Sequence, residues 1–98
     1  MILHILNKSP RDSAGWQGCL SALSHGHGIL LIEDAVYGMG EFTRYFPTEQ
    51  IEELELSVFA LESDARARGL SPAAPVNLVN YQAFVDLTEQ YAKSVSWF

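Results

Sequence analysis

One side chain in this sequence of 98 residues has the makings of a strong nucleophile, Cys19. The thiolate is the reactive form, and a helix start or neighbouring cations lower a cysteine's pKa toward neutrality. Helical spacing puts Cys19 on the same side as Trp16, Leu20 and Leu23, within a helix read from about Asp12 to Ser24. Such a face points toward a core, and cysteine is among the most buried residue types. Two readings stay open: an inert buried thiol, or a reactive nucleophile with a lowered pKa.

The other chemistry-bearing groups are His4, His25, His27, Glu33 and Asp34. Zinc needs three or four convergent ligands. His25 and His27 fall in a glycine-flanked loop that reads as solvated, and His4 lies in a strand, so no metal site is expected. Glu33 and Asp34 leave a strand side by side and point different ways, which argues against an acid/base pair. Asp34 is expected to cap a short helix from Ala35. The glycines at 26, 28, 38 and 40 lack the spacing of a phosphate loop. No cofactor is implied.

These residues need a scaffold, and its centre is Gly28-Ile29-Leu30-Leu31-Ile32. An unbroken branched apolar run suits a strand covered on both faces, as in a parallel sheet. Residues 2–7 read as a first strand, 56–61 as a third, 76–80 as a fourth and 95–98 as a last short one. Between them fall the helix containing Cys19, a helix from Glu62 to Arg68 stopped by Gly69, and one from Tyr81 to Lys93. The last of these places Tyr81, Phe84, Val85, Thr88, Tyr91 and Ala92 on one face. Residues 41–54 are hard to assign, with an aromatic cluster at Phe42, Tyr45 and Phe46, a break at Pro47, and Thr48 as a cap. Alternating strands and helices predict an α/β fold, a three-layer α/β/α sandwich with a mainly parallel sheet of four to five strands. In such a sheet ligands gather at the carboxyl ends of the strands, here beside Asn7, Ser9 and Asp34.

The totals narrow the function classes. The length fits a single domain over residues 1–98. Apolar residues are 48% and charged ones 18%, which excludes disorder and suggests association with other chains. A net charge of -6 argues against a surface that neutralises phosphates, so direct nucleic-acid binding is not expected. One cysteine allows no internal disulfide. No apolar run approaches the roughly 20 residues of a membrane span, and the start lacks a signal peptide's pattern. A cytoplasmic setting is expected.

Taken in order, the chain resembles the DsrH/TusB family of small sulfur-relay proteins. The resemblance rests on Leu3-His4, Asn7-Lys8-Ser9-Pro10, Cys19-Leu20 and Leu30 through Tyr37. It continues through Val58-Phe59-Ala60-Leu61, Asp64, Ala67-Arg68-Gly69-Leu70, Asn80-Tyr81, Phe84 through Thr88, and Trp97. It implies the smallest of three homologous subunits in a cytoplasmic heterohexamer, with DsrE/TusD-like and DsrF/TusC-like partners. That complex relays persulfide sulfur to a DsrC/TusE-like carrier. The relay serves 2-thiolation of the tRNA wobble uridine in TusB-type systems and dissimilatory sulfur oxidation in DsrH-type systems. The main sulfur-carrying cysteine is implied to lie on the DsrE/TusD-type subunit. Cys19 matches the cysteine of DsrH-type members, which makes it a candidate catalytic residue as a persulfide carrier. Two other functions remain open: a non-catalytic architectural subunit, and a small-molecule-binding domain with a pocket at the carboxyl edge.

Overall fold

In the computed structural model, which describes residues 1–98, five strands form one all-parallel sheet: β1 (Ile2–Leu6), β2 (Gly28–Leu31), β3 (Ser57–Leu61), β4 (Val76–Val79) and β5 (Lys93–Trp97). The helices are α1 (Ser13–Ala22), α2 (Phe42–Tyr45), α3 (Thr48–Glu53), α4 (Glu62–Ala67) and α5 (Tyr81–Gln90), and a 3-10 helix runs over Glu33–Glu41. The strand order is β4-β3-β2-β1-β5. From β1 to β4 each strand is added on the same side of the last, and the chain then crosses the whole sheet to β5. Right-handed crossovers therefore put the first connections on one face and α5 on the other.

Side-chain alternation along the strands follows this arrangement. Leu6, Ile29, Leu31, Val58, Ala60 and Val76 meet Trp16, Cys19, Val36, Met39, Phe42 and Phe46 in the larger core. Leu3, Ile5 and Leu30 meet Leu87 in the smaller one, with Phe84, Tyr91, Ile32 and Phe59 packed around them. β2 is buried along its whole length, as a strand covered on both faces must be. The expected α/β/α sandwich is therefore observed, with five strands, all of them parallel.

Several local expectations change. Asp34 caps nothing: Ile32 takes the capping position of the 3-10 helix, and Asp34 lies inside its first turn. That helix presents Val36 and Met39 three residues apart to the core, the eclipsed spacing of a 3-10 turn. Gly38 lies between them because a Cβ there would come within 2.6 Å of the Trp16 ring and 2.7 Å of Pro10. Thr48 is the first residue of α3, and Pro47 holds the cap position. The aromatic residues of the segment 41–54 pack on α1: Phe42 stacks on Phe46 at 4.7 Å, and Trp16 lies 5.3 Å from Tyr45 and 5.7 Å from Phe46. α5 ends at Gln90, three residues before Lys93, and its most buried side chain is Leu87 while Tyr81 is exposed. Asn80 caps it by accepting the Ala83 N–H at 2.8 Å.

Candidate functional site

Cys19 lies on the inner side of α1 and is fully buried within the larger core. It is a free thiol. Removal from water penalises the thiolate and pushes the pKa up to about 12, so at neutral pH the group is a neutral thiol. The first turn of α1 carries no acidic residue and the last turn no basic one, so the helix itself is uncharged and offers no cation to the sulfur.

The carboxyl edge of the sheet holds the polar groups that the sequence placed there. Asn7 follows β1 and donates from Nδ2 to Glu33 Oε2 at 3.4 Å, while its Oδ1 is buried without a partner. Glu33, just past β2, adopts φ +50, an uncommon backbone setting for a residue other than glycine. Its backbone N–H donates to Asp64 Oδ2 at 2.7 Å, which ties the end of β2 to α4. Arg68 donates to Asp34 Oδ1 from Nε at 3.2 Å and Nη2 at 2.9 Å, and from Nη1 to the Asp64 carbonyl at 3.1 Å. Its guanidinium carbon lies 5.8 Å from the Tyr37 ring centre. The hydrogen bond to Asp34 is the main cause that holds the Arg68 pKa above its ordinary value.

Glu33 and Asp34 thus turn to different partners, as their adjacency leaving a strand implies. Beside them Ser9, Pro10, Arg11, Asp34, Tyr37 and Tyr45 line an open cleft of about 440 Å³. Asp34 reaches the cleft already engaged by Arg68, so the cleft brings together no free acid, base and nucleophile. Cys19 belongs to the buried core on the inner side of α1, not to this lining.

The histidines depart from expectation. His27 is buried, not solvated, and its Nδ1 lies 2.9 Å from His4 Nε2. His4 Nδ1 accepts the Trp97 indole N–H at 3.1 Å. Only His25 is exposed, paired with Glu55. No three potential metal ligands among His, Cys, Asp and Glu converge anywhere in the chain. Sequence reading missed the inward turn of His27 and the Asp34–Arg68 pair. A signal for the first lay in β1: a polar residue within an apolar strand covered on both sides must find a hydrogen-bond partner.

No helix is long and apolar enough to cross a membrane. The family model described as DsrH like protein matches residues 8–94. Protein TusB of Shigella sonnei (strain Ss046) is 32% identical over 98 residues, covering 98% of this chain and 100% of that protein. Protein TusB of Escherichia coli K12 matches at the same identity and coverage. Among solved structures, the ychN protein of E. coli shares the fold with a TM-score of 0.72 at 15% identity, over 97% of each chain. Protein Tm0979 of Thermotoga maritima aligns with a TM-score of 0.62 at 29% identity, over 92% of this chain and 93% of its own. The family model and the full-length relatives agree with the motifs read from Leu3 through Trp97: the chain belongs to the DsrH/TusB family of sulfur-relay proteins.

Proposed function

We propose that this chain is an architectural subunit of a cytoplasmic sulfurtransferase complex and does not itself carry the sulfur. The observation that supports this reading is the state of Cys19. A persulfide carrier must meet a donor and an acceptor and must attack as thiolate. Cys19 has no exposed surface, and its thiol is held far above neutral pH. The carrying cysteine then belongs to a DsrE/TusD-like subunit, with a DsrF/TusC-like subunit completing a heterohexamer and a DsrC/TusE-like protein receiving the sulfur. The full-length likeness to TusB favours the branch that ends in 2-thiouridine at the tRNA wobble position.

An architectural subunit contributes surface. Tyr37, Tyr81 and Phe98 are exposed large side chains, and each follows the carboxyl end of a strand. They supply the aromatic area that protein interfaces favour. Affinity purification of the full chain from its native cell, followed by mass spectrometry, tests the assignment. DsrE/TusD-like and DsrF/TusC-like chains in fixed proportion are expected. A monomer that captures neither at high concentration would overturn it.

A further inference from the structure

Three rings that play no part in the proposed function are joined end to end inside the protein. The Trp97 indole N–H can only donate, so His4 Nδ1 is the acceptor and the His4 proton sits on Nε2. That N–H then donates to His27 Nδ1, which also receives the Ser24 backbone N–H at 3.3 Å. The chain of bonds therefore needs both imidazoles neutral. An added proton on either ring sets N–H against N–H, at Trp97 or between the two histidines, whichever tautomers are chosen.

The surroundings offer such a proton no counter-charge. β1 has no charged residue, and neither has α1. β5 contributes Lys93, opposite Ile2, a cation. The loop before β2 contributes His25, and the turn before β3 contributes Glu55, whose carboxylate is already taken by His25. The N-terminal ammonium also acts on His27 and disfavours a second positive charge there. Burial, reinforced on His4 by His27 and on His27 by this ammonium, lowers both pKa values below 6.5.

The bonds also hold one edge of the sheet. β5 is an edge strand that pairs with β1 alone. Lys93, Ser94 and Ser96 are exposed, and Trp97 is its one large anchor, lodged between His4 and the bare backbone of Gly15 and Gly18. We propose that His4, His27 and Trp97 form a proton-sensitive latch, and that proton uptake by the imidazole pair frees β5 while β1, β2 and β3 stay paired. Opening returns the imidazoles to water and to their ordinary affinity for protons. Below about pH 6.5 and above the lowered folded values, one proton taken up on opening raises the opening constant about tenfold for each pH unit of fall, and two raise it about a hundredfold.

Amide hydrogen exchange of the full chain, followed residue by residue by NMR and expressed as protection factors, tests this. Between about pH 7 and about pH 5, β5 protection is expected to fall at least about tenfold while β2 and β3 keep theirs. The Trp97 indole N–H resonance should shift over the same range. In His27→Asn the step should shrink; if that variant does not fold, the wild-type profile alone decides. Constant β5 protection, or loss in β5 and β2 together, would overturn the latch.

Discussion

The Trp97 ring lies so close to the Gly18 backbone that a Cβ on Gly18 would stand 2.7 Å from ring carbon Cζ3. At Gly15 a Cβ would stand 2.9 Å from the Trp97 carbonyl oxygen. These two glycines weaken α1 as a helix yet let it lie flat on the end of β5.

Alanine at these positions should therefore destabilise the chain in spite of its helix propensity. Overpacking costs roughly 1–3 kcal/mol against a propensity gain of about 1 kcal/mol. Gly15→Ala should cost more than Gly18→Ala, since it displaces backbone while Gly18→Ala meets a ring that can shift. Gly40→Ala, whose Cβ would meet nothing nearer than 3.8 Å, is the tolerated control. Urea unfolding of the three variants gives the ranking.

Cys19 should resist thiol reagents in the folded chain and react only on unfolding, which a native-against-denatured alkylation time course reads directly. Cys19→Ala should cost about 1–2 kcal/mol, from lost burial and the small space left behind. The thiol also shapes the alkaline limb of stability. Its pKa is about 12 when folded against an ordinary 9.0, so the unfolded chain releases its proton first. Stability falls as pH rises through that interval, and Cys19→Ala should lack this contribution.

In acid the sign reverses. The lowered His4 and His27 values mean that the unfolded chain binds more protons below pH 6.5. Their contribution to stability is complete above that pH and declines as pH falls toward the folded values. Denaturant midpoints measured across this range, with His4→Phe for comparison, should show the decline in the wild type and a shallower one in the variant.

How far the sequence revealed this depended on the range of the interactions. The run Gly28 through Ile32 identified the central strand because its burial is written in consecutive residues. The sandwich followed from the alternation of such strands with helices. Cys19 was legible as a core residue from its spacing to Trp16 and Leu20, but whether its sulfur reached solvent depended on the 3-10 helix and the aromatic residues of 41–54, which lie over α1. The helical period placed Phe84 correctly on the inner face of α5 but carried the helix past its end to Tyr91, which is extended, and omitted Leu87, because it is the sheet beneath that selects the inner face. The pairs His4–His27 and Asp34–Arg68 span 23 and 34 residues, and no local pattern encodes them.

The second of these pairs carries its own prediction. Arg68 meets Asp34 with two nitrogens and lies over Tyr37, a geometry that lysine cannot copy. Arg68→Lys and Asp34→Asn should each lower the melting temperature. The double variant should lose less than the sum of the two, as a thermal-melt double-mutant cycle would show.

The proposed division of labour between scaffold and sulfur carrier is tested most directly by following labelled persulfide sulfur through a complex reconstituted with the proposed partners, with wild-type chain and with Cys19→Ala. Mass spectrometry of each subunit locates the label, and gel filtration confirms assembly in both cases. The architectural reading predicts no label on this chain and an unchanged rate of transfer to the DsrC/TusE-like acceptor with Cys19→Ala. A persulfide found on Cys19, or transfer lost while assembly stays intact, would contradict it.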